Sequence, residues 1–354
     1  MSRYYIKGAP WSNGLAKNVE GCKTAQEVME RAGLNWFVKK CELVAKMPIL
    51  LNGNNTLEGG NAFAKDGYIY RDCDNAFATY RTDLNIPLGL VKSKYEVVQN
   101  LDAFNFFDDA IGEDKAVYLR AGTLGYGRKI YVTAKLPIET TVNGDKIDNY
   151  LVFSNSHDGS GSVDIMFTPL RVACTNMLAA GRKSAFAHIR IKHTKTVKER
   201  LDKGAEILRI ACENATAVED IYRSLEFFKM DDRQAMDYFA RLQLTEEEYF
   251  KLMDYDPKNG LTKLFNREYM TLDRTGISMR KANQLSTLFD YYYYGIAQKD
   301  IVGSGWGVYN AVTGYYSNVL EMEGEKRTDS LLWGSANNSI TNALDLMLDM
   351  RAAV

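Results

Sequence analysis

Side chains that bind phosphate are concentrated in one stretch of the sequence. Residues 165–198 contain seven bases, no acid, and two of the chain's three histidines, His188 and His193. Lysine and arginine form charge-assisted hydrogen bonds with phosphate, so this stretch predicts a surface that attracts a polyanion. Together with two bases that precede the middle strands, the candidate nucleic-acid-binding residues are Arg128, Lys129, Arg171, Arg182, Lys183, His188, Arg190, Lys192, His193 and Lys195.

Residues 188–192 are the best candidate within this stretch because polar and apolar side chains alternate there. The two isoleucines should face the core of the protein, and His188, Arg190 and Lys192 should face the other way. Side chains on one face of a strand lie about 6.6 Å apart, a spacing that suits successive phosphates of an extended single strand. The alternative is an edge strand whose charges prevent aggregation.

The overall charge does not by itself favour a polyanion, since 44 bases and 45 acids give a net charge of −1. The distribution is more informative, because residues 213–256 reverse the sign with twelve acids and five bases. Such separation predicts a positive surface that faces one way. The opposing interpretation is that these charges are solvated separately and never converge.

Ser156, His157 and Asp158 are the residue types of a hydrolase or nuclease site. Adjacent strand residues point to opposite faces, so these three do not easily form a catalytic triad. We therefore favour a loop histidine whose hydrogen bonds are made within the turn, and we assign no catalytic residue. An enzyme that uses His157 and Asp158 is the third functional hypothesis.

No motif predicts a metal or a cofactor. The glycine-rich residues 122–129 lack the phosphate-binding loop pattern and lead into a strand, which favours a turn near a basic surface. His188 and His193 are five residues apart without cysteine neighbours, so they do not form a recognisable metal motif. The five cysteines are scattered and include no CxxC pair, as expected for a reducing compartment. With no long apolar run or signal sequence, we expect a cytoplasmic protein, in a host cell, without membrane contact.

The elements that must position these residues are strands in the middle of the chain. Residues 129–136 alternate between apolar and polar side chains, which predicts a strand. Asn143-Gly144 predicts a hairpin turn, and residues 150–154 form the return strand of the hairpin. Residues 116–123 and 163–167 add two further strands. Thr168-Pro169 is typical of a helix start, which predicts a helix to about residue 180 that completes a β-β-β-α unit. One sheet face should then remain open.

These patterns predict an α+β protein with a central antiparallel meander and a largely helical C-terminal half. We expect a mixed segment over residues 1–115, the sheet with its basic segment over 116–212, and a helical region over 213–354 that is either separate or continuous with the core. Tyrosine is abundant, and the four tyrosines at 291–294, together with Trp306, are expected at contacts of a homo-oligomer.

Several motifs resemble one known family, the phage/plasmid-like proteins, a domain family of unknown function found on phages, plasmids and other mobile elements. The motifs are residues 10–15, 32–36, 87–89, 95–104, 155–160, 168–176 and 306–313. The first motif has Ser12-Asn13 where the family commonly has a histidine before glycine, so no role for that histidine is transferred. The resemblance implies a mobile-element protein and no specific activity.

The combined expectation is a non-catalytic protein that binds single-stranded DNA, or RNA, either by simple binding or with annealing of strands. The β-β-β-α unit with a basic face is similar to the core of ring-forming single-strand annealing proteins, which is a fold-level analogy. The alternative is an interaction protein, such as an anti-defence factor, that binds an acidic host or phage protein.

Overall fold

The computed structural model describes residues 4–12, 14–49, 62–111, 116–179, 188–197, 199, 204–255 and 276–353. They form two antiparallel sheets followed by a helical C-terminal half, which confirms the predicted α+β class. The boundaries predicted near residues 115 and 212 stay a prediction.

Eleven strands are found among the described residues. They are β1 (Ala16–Asn18), β2 (Val38–Pro48), β3 (Ala62–Lys65), β4 (Tyr68–Arg81), β5 (Ile86–Lys92), β6 (Val117–Leu124), β7 (Lys129–Val142), β8 (Asp145–Ser156), β9 (Val163–Arg171), β10 (Asn176–Met177) and β11 (His188–Ile191).

The same part of the chain contains nine α-helices. They are α1 (Ala25–Ala32), α2 (Asn100–Ile111), α3 (Gly204–Phe227), α4 (Asp232–Gln243), α5 (Glu246–Tyr255), α6 (Met279–Tyr294), α7 (Gly305–Gly314), α8 (Gly324–Leu332) and α9 (Ser335–Ala352). A π-helical turn, Tyr315–Val319, follows α7 directly.

The large sheet has the order β1-β6-β7-β8-β9-β10, and β11 also pairs with β9. Its longest hairpin joins β7 to β8 through Asn143 and Gly144, whose φ angles are 47° and 76°. A two-residue turn with positive φ at both central residues matches the right-handed twist of the strands that it joins. Asn-Gly is the preferred sequence there because both residues adopt positive φ readily. The hairpin predicted from the sequence is therefore confirmed.

The helix predicted to begin at Thr168-Pro169 is wrong, because both residues belong to β9. All nine residues of β9 are buried, so packing on both faces outweighs the local helix-start signal. Pro169 lies between Met166, where the pairing with β11 ends, and Leu170, where the pairing with β10 begins. Its missing N–H therefore costs no ladder hydrogen bond on that side. The rest of the predicted helix, beyond residue 179, lies outside the described residues.

The expectation of an open sheet face is also wrong for the central strands. On one face the Phe153 ring of β8 packs against Phe104 of α2, with ring centroids 5.4 Å apart. On the other face Tyr131 of β7 packs edge-on against Trp333, at 6.0 Å. The helical half of the chain thus covers the sheet face that we expected to be open.

The small sheet pairs β4 with β2 on one side and with β3 and β5 on the other. It meets the large sheet where β5 passes the connection between β8 and β9. A Cβ atom at Gly89 would lie only 2.2 Å from the Asp158 carbonyl oxygen, so only glycine permits this approach.

Residues 7–12 form a strap that lies against the C-terminal half. The Lys7 amide donates to Asn318 Oδ1 at 2.9 Å. Arg327 Nη2 donates to the Gly8 carbonyl, and the Thr328 hydroxyl donates to the Pro10 carbonyl, both at 2.7 Å. The strap is therefore tied down by residues more than 300 positions later in the chain.

The aromatic residues expected at an oligomer contact lie mostly inside this chain. Tyr291, Tyr292 and Trp306 are fully buried, whereas the Tyr294 side chain is exposed. Helix α6 turns two of its four tyrosines inward because consecutive helical positions point in different directions. These buried rings are core residues, and the homo-oligomer itself stays a prediction.

Candidate functional site

Four strand ends meet at one end of the large sheet, which we call the glycine-rich end. It comprises residues 125–129, 156–163 and 191–195. Lys129 pairs with Ser156, Asn155 pairs with Val163, and Val163 pairs with Ile191. Neighbouring strands are about 4.8 Å apart, so the start of β7 and the end of β11 are separated by about 14 Å. The fold thus brings the predicted residues near 128 and near 192 to the same end.

Arg128 and Lys129 differ in how they are held. Lys129 is half-buried, its Nζ lies 2.8 Å from Asp329 Oδ1, and it stands 4.4 Å from the centre of the Trp333 ring. Arg128 is exposed, and its guanidinium has no carboxylate partner among the described residues. Of the two, Arg128 has the side chain that is available to a ligand.

His188 and Arg190 share one carboxylate on the neighbouring strand. Asp164 Oδ1 lies 2.9 Å from His188 Nε2 and 3.0 Å from Arg190 Nε. Burial opposes ionisation of Asp164, but the hydrogen bonds from His188 and Arg190 outweigh it, and its pKa is lowered. The ionised Asp164 therefore offsets much of the positive charge that we predicted for β11 from the sequence.

Lys192 and Lys195 follow β11 and are exposed. Neither side chain is within ion-pair distance of an acid in the described part of the chain. Lys92 and Lys94 are also exposed, and their segment is joined to this one because the Glu96 amide donates to the His193 carbonyl at 3.2 Å. The acid-free stretch of the sequence predicted Lys192 and Lys195 as binding residues, whereas Lys92 and Lys94 were not predicted.

Arg171 is placed in the interior, at the opposite end of the sheet. Its side chain is 1% exposed, and Nη2 lies 2.6 Å from Asp145 Oδ2 and 2.7 Å from the Ala297 carbonyl. The prediction that Arg171 belongs to the binding surface is therefore wrong, because a phosphate outside the protein cannot reach it. Arg182 and Lys183 lie outside the described residues.

His193 is a packing residue, which corrects its prediction as a surface ligand. Its ring stacks on Tyr95 at 4.6 Å, and Nδ1 donates to the Glu96 carbonyl at 3.0 Å. Burial lowers the pKa of His193, so the ring is neutral near pH 7 and supplies no positive charge. Only its backbone follows the exposed surface.

His157 is also fully buried, although the sequence favoured a loop histidine. Its Nε2 lies 2.8 Å from the Asn100 side-chain oxygen, while the Asn100 amide nitrogen donates to the Leu34 carbonyl. This arrangement requires the proton to be on Nε2. Burial lowers the pKa of His157 to about 3, so the imidazole is held neutral.

Asp158 belongs to a different network from His157. Its carboxylate accepts hydrogen bonds from the Ser160 amide at 2.9 Å and from the Ser160 hydroxyl at 2.7 Å, and the Ser156 hydroxyl lies 3.3 Å away. No hydrogen bond between described residues joins His157 to Ser156 or Asp158 through their side chains. The acid and the base of the hydrolase hypothesis are thus not paired.

Tyr126 is the prominent side chain that the sequence did not single out. It lies between Gly125 and Gly127 with φ 60° and ψ 22°, and 76% of its surface is exposed. Its carbonyl accepts a hydrogen bond from Arg81 Nη1 at 3.0 Å. A left-handed backbone at an exposed aromatic residue is uncommon and marks the position as a candidate for function.

A cavity of about 310 Å³ lies between the glycine-rich end and α8. Its charged lining residues are balanced, with three bases and three acids: Arg128, Lys129, Lys326, Asp158, Glu325 and Asp329. Glu325 also accepts the Gly125 amide at 3.0 Å, which fixes the glycine-rich turn to α8. The balance of charge disfavours this cavity as a polyanion site and leaves the exposed rim around it as the candidate surface.

The described residues contain no group of three or more histidine, cysteine, aspartate or glutamate side chains that could hold a metal ion. Within the same residues, no helix is long and apolar enough to cross a membrane. Besides the acids that line the cavity, the glycine-rich end presents exposed cations, the exposed phenol ring of Tyr126 and backbone groups.

Comparison with known proteins identifies the family but not an activity. No curated protein and no solved structure matches the chain. A family model described as Domain of unknown function (DUF932) matches residues 87–336, which include the motifs at 87–89, 95–104, 155–160, 168–176 and 306–313. The motifs at 10–15 and 32–36 lie outside the match. Since the match covers more than half of the sequence, the chain belongs to the DUF932 family.

Proposed function

We propose that the protein binds single-stranded nucleic acid across the glycine-rich end of the large sheet, without catalysis. The observation that carries the proposal is that Arg128, Lys192 and Lys195 are exposed there without acidic partners among the described residues, beside the exposed ring of Tyr126. The occurrence on phages and plasmids that the resemblance implies is consistent with such a role and belongs to the proposal.

The distances suit a strand that is bound through its backbone. The separation of about 14 Å between the start of β7 and the end of β11 spans about two to three phosphates of an extended strand. A base next to Arg128 would stack on Tyr126, because every base presents a π-face and stacking tolerates any sequence. Recognition of this kind is independent of base identity.

The proposed footprint is narrower than the one predicted from the sequence. Arg128, Lys192 and Lys195 carry it, with Lys92 and Lys94 beside them, while Arg171 and His193 are withdrawn. His188 and Arg190 contribute less because both side chains are hydrogen-bonded to the single carboxylate of Asp164. Each exposed cation that binds phosphate releases counterions, so binding should weaken steeply with salt.

The test is a fluorescence titration of DNA and RNA oligonucleotides, single- and double-stranded, across a salt series. The variant Arg128→Ala/Lys192→Ala should bind single strands more weakly and reduce the salt slope by about 1.4, at about 0.7 for each phosphate that is no longer bound. The matched control is Lys229→Ala/Arg233→Ala, which removes two exposed bases from the helical half. An equal slope for wild type and the first variant would remove these residues from the site.

The same titration separates the alternatives. Failure of the wild type to bind any oligonucleotide at low salt would overturn the proposal and favour an acidic host or phage protein as the partner of this surface. Loss of intact substrate during the titration would instead revive the hydrolase or nuclease hypothesis. Acceleration of pairing between complementary strands would add annealing to binding, and light scattering in the same buffers tests the homo-oligomer.

A further inference from the structure

A second and larger cavity lies in the helical half, away from the sheet residues discussed above. We call it the helical cavity. Its volume is about 740 Å³, within the range typical of small-molecule sites. It is bounded by α6, the π-helical turn and the first two turns of α9. The lining residues that matter here are Gln243, Arg280, Asn283, Gln284, Tyr315 and Tyr316.

The α6 wall of the helical cavity is a polar stripe. Arg280, Asn283, Gln284 and Thr287 are spaced i, i+3, i+4 and i+7, so they share one face of the helix. The opposite face of α6 carries buried apolar residues that hold it to the core. Arg280 and Asn283 are exposed at the cavity, whereas Gln284 and Thr287 are half-buried.

The amide groups in the cavity have no hydrogen-bond partner in the part of the chain that the structure describes. Gln243, Asn283 and Gln284 make no side-chain hydrogen bond to any other described residue, although each has two N–H donors and one carbonyl acceptor. Amides offer donors and acceptors side by side, which is the pattern presented by the edges of nucleobases. The wall can therefore pair with a planar, heteroatom-rich ring.

Two tyrosines supply aromatic surface to the same cavity. Tyr315 and Tyr316 belong to the π-helical turn, and their rings stand 5.2 Å apart at 85° to each other. A π-helical turn is rare and is frequently found at functional sites. Both rings line the cavity, and aromatic surface of this kind suits a flat ligand.

The charge of the cavity is positive and comes from one residue. Arg280 is the charged member of the lining, and the lining includes no acid among the described residues. Burial and the neighbouring Tyr316 phenol raise the pKa of Tyr315, while the positive charge of Arg280 acts in the opposite direction. Arg280 and Tyr315 both line the cavity, and Arg280 is exposed there.

We infer that the helical cavity binds a nucleotide, with the base between the amides of α6 and the tyrosine rings and the phosphate on Arg280. Three observations coincide in one cavity: unused amides, perpendicular aromatic rings and a guanidinium with no acid beside it in the described lining. Arginine forms strong bidentate contacts with phosphate. The nucleotide is either a free 5′-monophosphate or the 5′-phosphorylated end of a strand, since both present the same chemistry.

The test is calorimetry on the full chain with the four ribonucleoside 5′-monophosphates, the four nucleosides, inorganic phosphate and 5′-phosphorylated tetranucleotides. A nucleotide should bind at least tenfold more tightly than its nucleoside and than phosphate alone. Binding of mononucleotides would assign the free ligand. Binding of tetranucleotides only, and more tightly than of the same tetranucleotides without the 5′-phosphate, would assign the strand end, because the single-strand site proposed above does not require that phosphate. Failure of every phosphorylated ligand to bind at millimolar concentration would overturn the inference.

Variants locate the binding within the molecule. Arg280→Gln should abolish the preference for nucleotide over nucleoside, and Asn283→Ala should change the ranking of the four bases. Arg233→Gln, an exposed arginine on α4, is the matched control and should bind like the wild type. The variant Arg128→Ala/Lys192→Ala should also bind mononucleotides normally. Loss of binding in that variant, with normal binding by Arg280→Gln, would assign the ligand to the glycine-rich end and overturn the inference.

Discussion

The two ends of the large sheet use the same residue types in opposite ways. At the hairpin end, where residues 142–145 turn, Arg171 is buried against Asp145, and the Trp306 indole donates to the same carboxylate at 3.1 Å. At the glycine-rich end, Arg128 is exposed. Both arginines belong to the sheet region, so the packing of the helical half, and not the local sequence, determines which one is structural.

The largest expected effect tests the hairpin end. Asp145→Ala leaves the Arg171 charge buried without its carboxylate, so the free energy of unfolding should fall by about 3 kcal/mol. Arg128→Ala, at the exposed end, should change it by less than about 0.5 kcal/mol. Urea unfolding followed by circular dichroism measures both values.

A double variant provides the control for this comparison. Asp145→Ala/Arg171→Met removes both charges and should recover much of the lost stability, because an apolar side chain of similar length avoids the cost of an unpaired buried cation. If Asp145→Ala lowers the free energy of unfolding by less than about 1 kcal/mol, the ion pair with Asp145 does not make Arg171 more important for stability than Arg128.

An effect of similar size, spread over a range of pH, is expected from the buried histidine at the glycine-rich end. The folded-state pKa of His157 is about 3, below the ordinary value of 6.5, so the unfolded chain binds the proton more readily. Stability from this group is present above pH 6.5 and is lost as the pH falls from 6.5 towards 3. The loss approaches about 1.4 kcal/mol for each pH unit once the unfolded histidine is protonated.

The measurement is urea unfolding of wild type and His157→Gln between pH 7.5 and pH 4. Glutamine retains a side-chain N–H for Asn100, and the variant should show a flatter dependence of stability on pH. His188→Gln, at a half-buried position, serves as the comparison. Parallel pH profiles for wild type and His157→Gln would contradict the assignment of a neutral, buried ring.

The smallest expected effect concerns Tyr126 and separates stability from binding. Tyr126→Gly relieves a left-handed backbone that costs a non-glycine residue about 1–2 kcal/mol, against about 0.5–1 kcal/mol for the added chain entropy of glycine. The net gain in unfolding free energy should be about 0.5 kcal/mol, while affinity for single strands falls because the ring no longer stacks on a base. Tyr126→Ala should show the same fall in affinity without the gain. A Tyr126→Gly variant that binds as tightly as the wild type would remove the ring from the site.

Local features of the fold could be predicted because neighbouring residues determine them. Asn143-Gly144 turns the long hairpin, with positive φ at both residues. The helix predicted to start at Thr168-Pro169 was wrong because β9, which contains both residues, pairs with β8 along its whole length. This pairing outweighs the local helix-start signal. The β8 residues that pair with Thr168 and Pro169 lie about 20 positions earlier in the sequence, so a local helix-start pattern does not include them.

The candidate site could be predicted only in part for the same reason. The positive character of residues 188–195 was visible, but the neutralising Asp164 is set by strand register. The burial of Arg171 depends on Ala297, 126 positions away, and that of His193 on Tyr95. Nothing in the local sequence of Tyr126 indicates its exposure, although two flanking glycines signal an unusual backbone.

The strap of residues 7–12 has a consequence for the order of folding. Its partners, Asn318, Arg327 and Thr328, emerge from the ribosome only after more than 300 further residues have been synthesised. Interactions of such sequence separation close large loops and form late. Trp11 of the strap can pack on Tyr150 of β8 once β8 has been synthesised, but the hydrogen bonds of the strap to the C-terminal half form only when the chain is nearly complete.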